Sequence, residues 1–273
     1  MRRALIAAPA LAALVLSAPA QALTVLGSPL PGTPPANAVG GGNLDAAFRA
    51  AADLWQAAIL DEHTVTIYYG WAPLSDLLGF GFATEVNGRT SGGSIVLTNA
   101  AQYRFFADPT PAAHEEFSSP VETLADLGSP EGPVNVGRIL SVVTAQAGLG
   151  YDLLSVVAHE IGHALGFVGE FSPHGAETAD GDVDVTAPLP FAGAALPVTA
   201  DHDHLTTPTS LMYPYFGTGQ RKLLSDADIL GVAEANGFMH VDLEAPLVPE
   251  PASGSLLGLG VAALSLGARR RGR

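Results

Sequence analysis

The chain contains no cysteine. That excludes disulfide staples, thiolate metal ligands, a cysteine nucleophile and an inhibitory cysteine switch, so stability must come from the core and from any bound ion. Charge is also scarce, at 14% of residues, and it is lopsided. Lys plus Arg number 12 against 27 Asp plus Glu, for a formal net charge of −15. Arg2, Arg3, Arg269, Arg270, Arg271 and Arg273 lie at the two extremities, so the stretch between them is more acidic still. Such a field argues against nucleic acid as a partner and favours solubility and cation binding. No internal repeat is present.

The 273 residues, 48% of them hydrophobic, suffice for one sizeable domain with processed ends. Met1-Arg2-Arg3, the apolar run Ala4 to Leu16 and Ala20-Gln21-Ala22 have the three parts of a signal peptide for the Sec export machinery, cut near Ala22. At the other end Val248-Pro249-Glu250-Pro251 precedes an apolar stretch, Ala252 to Ala268, and then the arginine cluster. That stretch is at the short limit for a transmembrane helix, and the basic tail would stay cytoplasmic. The tail, residues 248–273, resembles the PEP-CTERM sorting signal of Gram-negative bacteria. The resemblance implies export to the cell envelope or beyond, transient membrane association and recognition by an exosortase. A plain C-terminal anchor is the rival reading.

Between the ends, Gly27 to Gly42 is dense in Gly and Pro, and 23–43 reads as a flexible lead-in. Asn43 caps a helical pattern from Leu44 to about Leu60. Thr64 to Tyr69 and Ser94 to Thr98 read as strands. Val134 to Ala147 has helix-like periodicity, while Asp180 to Ala200 reads as irregular. A last helix is expected from Asp226 to about Asn236, closed by Gly237-Phe238. This order predicts a single α+β domain over 44–247, with a small twisted sheet.

The most informative stretch is His159-Glu160-Ile161-Gly162-His163-Ala164-Leu165-Gly166-Phe167, inside a helix expected from about Asp152 to Leu165. Histidines four apart leave one helical face a turn apart, so both rings can reach one Zn²⁺. Glu160 projects beside them, able to touch a water on the metal without ligating it, which is the metalloprotease pattern. A lone histidine is more often no ligand, but here the apolar helix before the motif and Gly166 after it favour the zinc reading.

A catalytic zinc needs a third protein ligand and an open fourth position. The compact metzincin motif would place that histidine where Gly169 stands. The candidates are His204, His202, and Glu170 or His174 close behind the helix. Spacing by two on an extended segment points His202 and His204 the same way, so spacing does not separate them. Ser210-Leu211-Met212-Tyr213-Pro214 resembles the metzincin Met-turn, and Ser210 to Gly237 is similar to the matrixin order of Met-turn, Leu-Ser-x-x-Asp and closing helix. The long insertion before His202 and His204 resembles leishmanolysin-like members. The resemblance implies a metzincin-like zinc protease fold with an active-site helix and a C-terminal helix, His204 as third ligand, and Met212 as an apolar floor. Tyr213 and Tyr215 are weaker candidates for oxyanion stabilisation. Asp180, Asp182 and Asp184 alternate in a way that suits Ca²⁺ or a solvated acidic loop. His63, His114 and His240 carry no pattern.

The expected activity is zinc-dependent cleavage of peptide bonds in a protein or peptide substrate, with Glu160 as general base. The alternative is a metal-stabilised envelope or matrix protein without catalysis. Hydrolysis of a non-peptide amide fits the motif as well.

Overall fold

The computed structural model describes residues 22–187 and 191–244. The expected signal peptide, save its last residue, and the expected C-terminal apolar segment with its basic tail lie outside them. Four strands, β1 (Leu23–Pro29), β2 (His63–Ala72), β3 (Gly79–Val86) and β4 (Arg89–Thr98), form a sheet in the order β1-β2-β4-β3. The first three in that order run parallel, and β3 is an antiparallel edge strand. Alternation along β2 sends Val65, Ile67 and Tyr69 inward and Thr64 and Tyr68 outward, so one face of the sheet is apolar.

Two helices cover that face. In α1 (Leu44–Ala58), the Asn43 side chain accepts from Ala46 N and Asp45 occupies the first turn, both favourable at a helix N-terminus. The fully buried Trp55 donates from Nε1 to the Ala158 carbonyl at 2.9 Å, tying α1 to α2 (Leu153–Ala164). Asp152 caps α2 by accepting from Ser155 N. A second, antiparallel sheet has the order β11-β7-β6, built from β6 (Val121–Ala125), β7 (Val134–Ser141) and β11 (Gln220–Leu223). Two short pairs join β5 (Phe105–Phe106) to β8 (Tyr151–Asp152) and β9 (Asp182–Asp184) to β10 (Ala195–Pro197). The helices α3 (Ser172–Glu177) and α4 (Asp226–Asn236) complete a mixed α+β architecture. One core cluster runs through both layers, including Trp55, Ile67, Leu97, Ile161, Met212 and Leu230.

Three expectations require correction. The segment read as a flexible lead-in begins with β1, paired with β2 from Leu23 opposite His63 to Pro29 opposite Tyr69. Leu23 and Val25 supply the apolar alternation, which the glycines and prolines after Leu26 obscure. The rest of that segment is held by backbone bonds such as Leu30 N to Tyr69 O and Gly42 N to Ala107 O. Second, the helix-like stretch from Val134 is strand β7. Lying between two neighbours and buried along most of its length, it lost the polar alternation that marks a strand. Third, the region read as irregular from Asp180 contains the β9–β10 pair.

The N-terminus of α2 is fixed by Arg221, which has no exposed surface. It donates to Asp152 from Nε at 3.0 Å and from Nη2 at 2.9 Å, and to Asp108 from Nη2 at 2.7 Å. Its guanidinium lies 4.3 Å from the centroid of Phe117. Removing one partner from a buried ion network leaves uncompensated charge, so Arg221→Met is expected to lower stability by about 3–5 kcal/mol. Equilibrium denaturation checks this. A midpoint equal to the native one would show that the two carboxylates find other partners.

Candidate metal centre

The apolar helix α2 presents His159, Glu160 and His163 on a face roofed by the edge of the first sheet. All three are nearly fully buried. The ring Nδ1 of His159 lies 2.8 Å from the Leu211 carbonyl, and that of His163 lies 2.7 Å from the Phe167 carbonyl. Carbonyls only accept, so each Nδ1 carries the proton and each neutral ring keeps a lone pair on Nε2. Those two Nε2 atoms face each other at 3.0 Å. Burial and the neighbouring rings hold both groups below the usual histidine range, His163 at about 4, so neither supplies a bridging proton at neutral pH. Two lone pairs at this distance repel unless a cation lies between them.

His204 completes the arrangement. Its ring centroid is 5.3 Å from that of His159 and 5.0 Å from that of His163. One ligand atom from each of the three lies within 4.8 Å of the others. Asp201 Oδ2 is 3.6 Å from His204 Nδ1, which favours a proton on that nitrogen and a lone pair on the other. The donor set, three neutral imidazoles, is one that Zn²⁺ and other late transition metals accept.

The remaining candidates are placed elsewhere. His202 adopts φ 63° and does not join the three rings; its carbonyl accepts from His174 Nε2 at 2.9 Å. His174 is fully buried behind the cleft against Phe167, with ring centroids 4.4 Å apart. Glu170 lines the cleft without joining the cluster. Met212 is fully buried, with its sulfur where any side chain at Gly162 would stand, so it packs directly beneath the helix between His159 and His163. Tyr213 faces the Lys222 ammonium, whereas Tyr215 is exposed and lines the cleft. Asp180, Asp182 and Asp184 bring carboxylate oxygens within 4.8 Å of one another on an exposed edge.

Glu160 stands against β3. A Cβ at Gly79 would meet its Oε1 at 2.4 Å, so glycine there makes room for the carboxylate. Its Oε2 is buried without a partner, and desolvation raises its pKa to about 8. Around these groups opens a cleft of about 540 Å³. Tyr103, Tyr151 and Val156 line it toward the start of α2, and Val168, Glu170, Asp201 and Asp203 line it beyond the helix end.

Two supporting groups were not singled out from the sequence. Asp228, third residue of the α4 capping box, accepts from Leu211 N, Met212 N and the Ser210 hydroxyl at 3.1, 2.9 and 2.6 Å. It thereby fixes the Leu211 carbonyl that orients His159. Lys222 Nζ donates to the carbonyls of Pro208, Ser210 and Tyr215 at 2.9, 2.9 and 3.2 Å, bracing a segment that has no ladder of its own. The sequence signals were a Ser-x-x-Asp cap and a lysine set among apolar strand residues.

His174 gives the fold an acid-sensitive point. Burial lowers its pKa from 6.5 to about 4. The unfolded chain therefore takes up a proton first, and the stabilisation present above pH 6.5 is lost as pH falls toward 4, by about 3 kcal/mol in all. His174→Gln, which keeps a donor for His202 O, is expected to flatten this part of the stability profile between pH 7 and pH 4.5. An unchanged slope in denaturation experiments would assign the effect to other groups.

Residues 247–271 match the PEP-CTERM protein-sorting motif. No curated protein matches the chain. Among the described residues, no helix is long and apolar enough to cross a membrane. The motif marks the chain as an exported protein of the Gram-negative cell envelope, sorted by exosortase-type machinery.

Proposed function

We propose that this protein is an exported zinc metalloendopeptidase of metzincin-like fold. The carrying observation is the convergence of His159, His163 and His204 beside the buried Glu160 carboxylate, whose Oε2 has no partner in the protein. The small sheet over α2, Met212 beneath the helix and α4 following the 210–214 turn agree with the plan that the sequence resemblance implies. His159, His163 and His204 would hold the zinc. When bound, the ion supplies a Lewis acid that polarises a carbonyl and lowers the pKa of a water toward about 7.

The chain's own groups do the rest. The Leu211 and Phe167 carbonyls fix the tautomers of two ligands, so their lone pairs are presented without prior reorganisation. Glu160 accepts the proton of the attacking water and delivers it to the leaving amine. Desolvation raises the basicity of that carboxylate, and the positive charge of a bound zinc would favour its ionised form. A carboxylate placed beside an open coordination position has no use in a purely structural site, which favours catalysis over the metal-stabilised matrix reading. The test is hydrolysis of casein by the purified protein, abolished by a chelator and restored by zinc. Folded, zinc-loaded protein that leaves casein and a diverse peptide library intact would refute the proposal.

A further inference from the structure

The cleft is electrically one-sided. Asp76, Glu160, Glu170, Asp201 and Asp203 line it, and among the described residues no lysine or arginine does. Three of these acids gather beyond the C-terminal end of α2. Asp203 Oδ1 accepts from Gly169 N at 2.7 Å, which anchors the 201–204 turn against the segment carrying Glu170. Asp201 accepts from the Thr199 hydroxyl and from Asp203 N, the latter at 3.2 Å. The Glu170 side chain is exposed and makes no hydrogen bond or ion pair with the described residues. One buried polar atom lining the same cleft also lacks a partner, Glu160 Oε2. Away from that end the lining holds one further acid besides Glu160, Asp76, in the loop whose Ser75 carbonyl accepts from Gln102 beside Tyr103.

We propose that Glu170, Asp201 and Asp203 form a subsite for a lysine or arginine side chain next to the scissile bond, so that the substrate is a cationic peptide segment. This rests on the peptidase reading for its chemistry and on the lining of the cleft for its selectivity. A substrate cation would supply N–H donors to the Glu170 carboxylate, which has none, while an acidic side chain would meet three like charges. Asp201 and Asp203 also hold the turn that carries His204, so Glu170 is the position at which charge can be altered without touching the metal ligands.

The experiment uses fluorogenic peptides with one cleavable bond, differing only in Lys, norleucine or Glu at each of the two positions on either side. At one of these positions, Lys is expected to exceed Glu by about tenfold in kcat/KM, as several screened charge contacts acting together provide. The ratio should shrink in high salt and collapse in Glu170→Lys, the Lys-to-Glu ratio within each protein being the readout. Equal turnover of the three peptides, or a ratio unchanged by Glu170→Lys, overturns the subsite. Should none be cleaved, binding of the same peptides by fluorescence anisotropy decides. Tighter binding of the Lys peptide then upholds the subsite while the peptidase reading fails, and indifferent binding overturns it.

Discussion

Glu160→Gln is expected to leave the protein folded and its zinc bound while peptide hydrolysis falls by about 10²–10⁴-fold, the usual contribution of a positioned general base. The substitution preserves shape, so the close fit against Gly79 survives. It removes a carboxylate whose desolvation is uncompensated, because Oε2 has no partner and burial alone raises the pKa. The thermal midpoint should therefore hold or rise slightly. An activity loss accompanied by loss of zinc would instead make Glu160 a ligand or a structural support. Full activity in a preparation free of contaminating protease would remove its role as base.

His204→Ala has the second large effect. Deleting a ligand should weaken zinc by more than the roughly 10–100-fold typical of outer-shell partners. It leaves two imidazoles, too few to close a catalytic site. His202→Ala is the matched control. Its ring is outside the cluster and its backbone carbonyl, which holds His174, survives the change. Zinc affinity should then be near native in one variant and lost in the other. The reverse result would exchange the two residues' roles.

The sequence read most clearly where local chemistry and tertiary demand agree. Asn43 and Asp152 cap α1 and α2 as their residue types suggest, and Ser225 with Asp228 opens α4 as a reciprocal capping box. The pairing of His159 with His163 follows from helix periodicity alone. The third histidine did not: on an assumed extended segment spacing left His202 and His204 equivalent, and only the resemblance favoured His204. In the structure His202 takes a left-handed backbone conformation, which separates the two side chains. No spacing rule conveys such a turn. The strand β7 was hidden for a different reason: a strand buried on both faces loses the period of two that distinguishes it from a helix. The strand β1 was masked by its own Gly27 and Pro29.

The supporting network was the least legible part. Arg221 reaches Asp108 and Asp152 across separations of 113 and 69 residues, and Lys222 reaches back to the segment from Pro208 to Tyr215. Such pairings depend on how the two sheets meet. Their one sequence trace is an Arg-Lys pair preceding Leu223-Leu224 in a chain with only 12 basic residues, where burial of either charge requires built-in partners.

The most direct test of the central claim is the metal content of the purified, folded protein, measured beside His159→Ala. One zinc ion per chain in the native protein, and none in the variant, is the result that the proposal predicts. Native protein that stays folded yet holds no divalent ion, even after incubation with zinc, would contradict the account.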